Sequence, residues 1–221
     1  MRTLGIETSS TRGSVALVEQ GVVIASAHHS ELNRHAEETL GLIERVLAEV
    51  EWPKGSLDRV ACSVGPGSFT GVRVGLSLAS GIGMGLDIAA LGLGSLRVVA
   101  AGERMDAGGR LLHHVTDELT VVLRDARRDE FFLAVYDHAS SEVLAPMTIA
   151  QHTAQQEVEQ VVQAHLGRTF KITRAEPDAK ALALLAAECV ASECPLTPQY
   201  IRDAGATPQN IPVSPLLGPR L

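Results

Sequence analysis

Residues 65–73 read Gly-Pro-Gly-Ser-Phe-Thr-Gly-Val-Arg and follow a short apolar run, Val60-Ala61-Cys62-Ser63-Val64. A segment compatible with a helix comes next and reaches the glycines beyond Ser80. That order demands a strand, a tight turn and then a helix, the β-to-α connection of an α/β fold. Glycine permits positive φ and close backbone approach, and Pro66 stiffens the turn. Ser68 or Thr70 can cap the new helix, whose free N–H groups suit an anion. The turn therefore reads either as a phosphate cradle or as an architectural connection. It is not a Walker loop, since no Gly-Lys-Ser/Thr ending follows. Nor is it a dinucleotide fingerprint, because Gly65, Gly67 and Gly71 are spaced two and four apart.

The rest of the chain fits the same class. Hydrophobic residues make up 45% of the 221 and aromatics only 3%, so a core of Leu, Val, Ile and Ala with many glycines is expected. Three short apolar runs open the molecule: Arg2 to Glu7, Gly13 to Glu19 and Val22 to Ala27. Gln20-Gly21 suits a tight hairpin between the second and third. Residues 35–50 carry Leu40, Ile43, Val46, Leu47 and Val50 at helical spacing, with Asn33 as a cap and Trp52-Pro53 as the stop. Strand 60–64, helix 70–82, strand 88–91 and a helix capped by Ser95 complete a first lobe, 1–102.

The second half, 103–221, opens in a similar way. A strand from Leu119 to Arg124 ends at Asp125. A polar turn (Arg127-Arg128-Asp129) and a strand from Glu130 to Tyr136 follow. Residues 3–18 show the same strand, acidic residue, polar turn and strand, which implies two lobes with related openings. Beyond Tyr136, residues 151–166 and 178–193 read as helices and Arg168 to Thr173 as a strand. A Pro-rich tail, 204–221, is expected to be poorly ordered.

Composition excludes several roles. The formal charge is −7, which argues against tight, autonomous nucleic-acid binding. Cys62, Cys189 and Cys194 lack metal-site spacing, and Cys62 reads as an inert core thiol. No basic-plus-apolar leader and no membrane-length apolar run is evident, so a cytoplasmic, reducing setting is expected. No His-Glu-x-x-His helix and no nucleophile elbow occurs.

Two constellations remain. Glu7 and Asp125 could meet across a cleft as metal-coordinating carboxylates near Thr8, Ser9 and Ser10, or could simply pair with arginines such as Arg127 and Arg128. In helix 70–83, Gly71, Gly75, Ala79 and Gly83 fall four apart and form a thin ridge, while Val74, Leu78 and Ile82 form a second stripe. Such a helix is either buried inside its lobe or shared with a second subunit.

Taken together, several segments resemble the TsaB (YeaZ) family of tRNA threonylcarbamoyladenosine biosynthesis. They are the 65–73 string, Leu4-Gly5-Ile6-Glu7-Thr8-Ser9 with Ser14-Val15-Ala16-Leu17, Arg34-His35-Ala36-Glu37, Leu123 to Tyr136, and Pro198-Gln199-Tyr200-Ile201-Arg202. Glu7 stands where that family usually has Asp. The resemblance implies a two-lobed α/β fold of the actin, Hsp70 and sugar-kinase type with a reduced second lobe. It implies a nucleotide or phosphate cleft at Glu7, Thr8, Gly65, Gly67, Ser68 and Asp125. It further implies a non-catalytic partner of TsaD, which transfers a threonylcarbamoyl group onto N6 of adenosine 37 in tRNAs decoding ANN codons. His35, Thr39, Ile43, Gly71, Val74, Gly75 and Leu78 would then form the partner face. TsaD carries a His-x-x-x-His pair, and no two histidines here are four apart, so no catalytic residue or metal ligand is expected. No cofactor is required in this reading, and ATP or ADP with magnesium belongs to the assembled complex. TsaE is a further partner, a homodimer is expected in isolation, and tRNA is reached only through the complex. The alternative is an ATP-dependent kinase or acyl-transfer enzyme of the same superfold, using Glu7 and Asp125.

Overall fold

The computed structural model describes residues 1–29, 35–113, 116–164 and 168–201. Asn33, Arg202 and the tail 204–221 lie outside the described residues. Strands β1 (Arg2–Glu7), β2 (Ser14–Glu19) and β3 (Val22–His28) form an antiparallel meander, with Gln20 and Gly21 at φ 52° and 74° in its second turn. Strand β4 (Arg59–Gly65) lies parallel to β1, and β5 (Ala89–Gly94) lies parallel to β4, giving the order β3-β2-β1-β4-β5. β1, β2 and β4 are buried along nearly their whole length because both faces of this sheet are covered.

One face packs against α1 (His35–Glu49) and α2 (Phe69–Leu86), around Leu4, Ile6, Val60, Cys62 and Ala79. The other face packs against α3 (Ser95–Gly102) and α5 (Ala179–Glu188), the latter arriving from far down the chain. Arg59 ties that helix down: its guanidinium donates to the carbonyls of Ala186 at 2.7 Å and Cys189 at 2.9 Å. The last carbonyls of a helix lack internal donors, so a cation there both bonds them and meets the negative end of the dipole.

A second sheet has the order β8-β7-β6-β9, from β6 (Leu119–Arg127), β7 (Glu130–Tyr136), β8 (Glu142–Ala150) and β9 (Phe170–Thr173). Helix α4 (Ala154–Ala164) covers one face, and α3 covers the other through Leu96, Val99 and Ala100 against Val122, Ala134 and Tyr136. The turn between β6 and β7 runs through Arg127, Arg128 and Asp129 at φ 60°, 56° and 57°, and the Asp125 carboxylate accepts from the Arg127 N–H at 2.7 Å. The two-lobed α/β architecture read from the sequence is the one present.

Several local expectations change. Helix α2 continues to Leu86 and ends at Asp87, whose left-handed φ of 54° closes it. Ser95 is not a cap. Gly94 stands at the N-cap position of α3, and the Ser95 hydroxyl donates to the Pro66 carbonyl. Helix α5 stops at Glu188 instead of 193, because Val190 is extended and a short 3-10 turn follows at Ala191–Glu193. Strand β8 was not read from the sequence: it is an edge strand, half exposed, with Pro146 inside it, and an edge tolerates proline where a central strand would not. At 18 residues α2 is also, among the described residues, the one helix long and apolar enough to cross a membrane, although no such run was expected. Here its small-residue face is seated on β1 and β4, and 28% of the helix is buried.

Candidate functional site

A cleft of about 400 Å³ opens between the lobes. The turn after β1 supplies Ser9 and Ser10, the start of α2 supplies Ser68 and Phe69, and the end of β6 supplies Arg124 and Asp125. The Ser68 N–H donates to the Ser9 carbonyl at 2.7 Å, which locks the glycine turn onto the β1 turn. The Ser68 hydroxyl accepts from the Gly71 N–H at 3.2 Å as the N-cap of α2. Arg124 pairs with Glu176 at 2.6 Å across the cleft wall.

Of the residues expected in a nucleotide or phosphate cleft, Gly67, Ser68 and Asp125 line it. Glu7, Thr8 and Gly65 do not. Glu7 is fully buried: one carboxylate oxygen accepts from the Ser9 N–H and the Ser9 hydroxyl, both at 2.6 Å, and the other from the Ser63 hydroxyl. Burial raises the Glu7 pKa above its ordinary value, while hydrogen bonds from Ser63 and Ser9 and the charge of Arg124 pull the other way. The Thr8 hydroxyl donates to the Gly71 carbonyl at 2.7 Å and is buried. Gly65, at φ 106°, lies beneath the carbonyl of Gln199, and the Gln199 N–H donates to the Val64 carbonyl at 2.7 Å. Glu7 and Asp125 therefore do not form a shared carboxylate pair in the cleft. Among the described residues no group of three or more His, Cys, Asp or Glu side chains is arranged to hold a metal ion. Cys62, beside Glu7, has its thiol pushed up to about 12 by burial, in keeping with an inert core residue.

The expected partner face also shifts. The Gly71, Gly75 and Gly83 ridge faces inward, against Thr8, Cys62 and Ala90, so it belongs to this lobe. Thr39 and Ile43 are buried, and Thr39 meets the ring of His29 at 3.1 Å. The His35 side chain lies outside the described residues. Val74 and Leu78 are half-buried, and Leu78 packs on the core of the first sheet. What faces outward instead is an apolar groove of about 240 Å³ between α1 and α2, lined by Leu40, Ile43, Leu47, Ile82, Gly85 and Leu86. Leu40, in that lining, is 53% exposed, and Met84, on α2 outside the lining, is 83% exposed.

Sequence reasoning placed Leu40 on the apolar stripe of helix 35–50 without assigning it to the partner face, and it missed Met84, Arg124 and Glu176 as site residues. Met84 was legible in principle, since it continues the exposed helical face of Arg73 and Ser77. Arg124 and Glu176 are far apart in sequence and carried no signal. Arg73 stacks its guanidinium 3.7 Å above the Phe69 ring, and Tyr200 flanks the same ring at 5.4 Å.

Residues 21–187 match the family model described as "TsaD: tRNA N6-adenosine threonylcarbamoyltransferase". Among curated proteins the chain is similar to the tRNA threonylcarbamoyladenosine biosynthesis protein TsaB of Escherichia coli, 32% identical over 139 residues covering 62% of this chain and 55% of that protein. It is also similar to the Bacillus subtilis protein of the same name, 29% identical over 138 residues covering 62% of this chain and 56% of that protein. The chain thus matches little more than half the length of these relatives. Among solved structures, YeaZ from Pseudomonas aeruginosa superposes with a TM-score of 0.67 at 22% identity, covering 90% of this chain and 99% of that one. A second Pseudomonas aeruginosa structure, described as similar to peptidase YEAZ, gives a TM-score of 0.69 at 23% identity, covering 91% of this chain and 99% of that one.

Proposed function

This chain belongs to the family described as TsaD, tRNA N6-adenosine threonylcarbamoyltransferase, and on that premise we propose that it serves threonylcarbamoyladenosine biosynthesis on tRNA. The finer reading is a non-catalytic partner of TsaD that presents the α1–α2 face as a docking platform. The observation that carries it is the groove between those helices, where Leu40 leaves apolar surface in water on an otherwise acidic chain. Exposed apolar patches rimmed by polar residues mark interaction surfaces. The enclosed carboxylate of Glu7 speaks against the kinase or acyl-transfer alternative, since a group holding three internal hydrogen bonds is not presented to a ligand.

In this reading TsaE is a further partner, the isolated chain pairs with a second copy, tRNA is reached through the complex, and the setting is cytoplasmic. Any nucleotide in the Ser9–Asp125 cleft would meet the N-terminus of α2 and the Asp125 carboxylate, and its binding belongs to the assembled complex. The test is co-purification with TsaD of the same organism, followed by tRNA modification with and without this chain. Retention of TsaD, and modification that depends on the chain, are expected. Full modification by TsaD alone, with no complex formed, would overturn the proposal.

A further inference from the structure

A second cavity, of about 660 Å³, shares no lining residue with the Ser9–Asp125 cleft. It opens where the start of α3, with Gly94 and Arg97, faces the β7–β8 turn and the segment from Glu193 to Gln199. Arg97 is half-buried, and its Nε donates to the Ser140 carbonyl at 3.0 Å. That carbonyl is held in place by its turn: Ser140 has φ 57°, and the Asp137 carboxylate accepts from the Ala139 and Ser141 N–H groups at 2.8 Å each. The guanidinium is thus fixed at one corner, and the side chain lines the cavity.

What is missing is a counter-ion. Among the described residues no carboxylate comes within ion-pair distance of Arg97. A second half-buried arginine, Arg104, donates to the hydroxyl of the same Ser140 at 2.9 Å, and its buried Nε has no hydrogen-bond partner. The nearby acids are otherwise engaged or peripheral. Asp137 holds the turn, Glu188 pairs with His113 at 3.1 Å, and Glu142 and Glu193 are exposed on the cavity rim. Two half-buried guanidiniums thus meet at one serine, and the charges of Glu188 and Asp137 act on Arg104 while Arg97 has no ion pair of its own among the described residues. Gly94 adds to it, because it heads α3 with no side-chain cap and lines the same cavity.

We propose that this cavity binds a small molecule through an oxyanion, a carboxylate or a phosphate, received by the terminal N–H groups of Arg97 beside the start of α3. A guanidinium fork matches both anions in plane, which an ammonium would not. The carboxylates of Glu142 and Glu193 at the rim select a ligand whose remaining part is neutral or cationic. This site is independent of the docking face, and its failure would leave that reading intact.

The direct test follows the side-chain Nε–H resonance of Arg97 by NMR at constant ionic strength, during separate titrations with inorganic phosphate, acetate and glycine. A saturable shift at Arg97 is expected with at least one of them, and the comparison separates a phosphate ligand from a carboxylate or zwitterionic one. Arg97→Gln should weaken the tightest of these by about tenfold or more, the weight of one charge-assisted contact. Arg2→Gln, remote from the cavity, should leave it unchanged. Loss of the Ser140 bond will soften the fold of Arg97→Gln, so the titration of the unaltered chain stands as the deciding measurement. An Arg97 resonance that stays still, or drifts without saturating in all three titrations, would sink the proposal.

Discussion

Thr8 and Gly71 are locked together. The Thr8 hydroxyl donates to the Gly71 carbonyl at 2.7 Å, and the Thr8 carbonyl in turn occupies the space that a Cβ on Gly71 would need. The glycine ridge of α2 is therefore a device for bringing a helix hard against β1, and the 65–73 string is first an architectural connection. Whether it also cradles phosphate is decided by the cleft it borders.

The first prediction follows from that contact. Gly71→Val should destabilise the fold by at least about 2 kcal/mol, because backbone rather than a flexible side chain must give way. On sequence alone, the same substitution is expected to weaken association instead. Gly81 is the control: nothing lies within 4 Å of its Cβ position. Gly81→Ala should stabilise α2 by about 0.5–1 kcal/mol through helix propensity. Thermal melts of both variants decide it, and equal Tm values would refute the packing account.

A second pair of variants separates core from surface on the same helix. Leu78 packs on the first sheet's core, so Leu78→Glu should lower Tm sharply by burying a charge without a partner. Met84 is 83% exposed, so Met84→Glu should melt within about 0.5 kcal/mol of the parent. If the α1–α2 groove is the docking face, Leu40→Glu, at a 53% exposed position in the groove lining, should abolish retention of TsaD in a pull-down. A folded Leu40→Glu that retains TsaD fully would move the interface elsewhere.

Both pairs also show what the sequence could convey. The alternation of apolar runs and turns located β1 to β7 and the helices, because each is a local pattern. The direction in which the glycine ridge faces was not local. Small residues four apart suit a self-packed helix and a shared one equally, and only the position of Thr8 distinguishes them. Glu7 was misplaced for a similar reason. An acidic residue at a strand end reads as presented, and its enclosure depends on Ser63, a residue 56 positions away. Arg97 gave no signal at all, since its missing counter-ion is a property of the assembled surroundings.

Arg59 offers a third prediction. It bridges the first sheet to the end of α5, a helix contributed from the far end of the described chain. Arg59→Ala would leave two carbonyls without their charged donor and should cost about 2 kcal/mol. Amide exchange should rise first in Ala179–Glu188, ahead of β1 and β2. Uniform protection in the variant would show that the apolar packing of α5 holds it without help.

The last prediction concerns acid and Glu7. Its carboxyl is fully buried, and burial raises its folded pKa above the ordinary value of 4.5 despite the opposing hydrogen bonds from Ser63 and Ser9 and the charge of Arg124. A carboxyl with a raised folded pKa prefers its proton in the native state. Its contribution to stability is then fully present below 4.5 and is lost as the pH rises through the folded value. Gln keeps the shape but does not titrate, so Glu7→Gln removes this dependence while retaining an acceptor oxygen for Ser9. Differences in Tm between the parent and Glu7→Gln, taken from acid to neutral pH, should therefore move steadily in favour of the variant. A difference that stays flat, or that moves in favour of the parent as the pH rises, would mean that Ser63, Ser9 and Arg124 outweigh burial and hold Glu7 ionised.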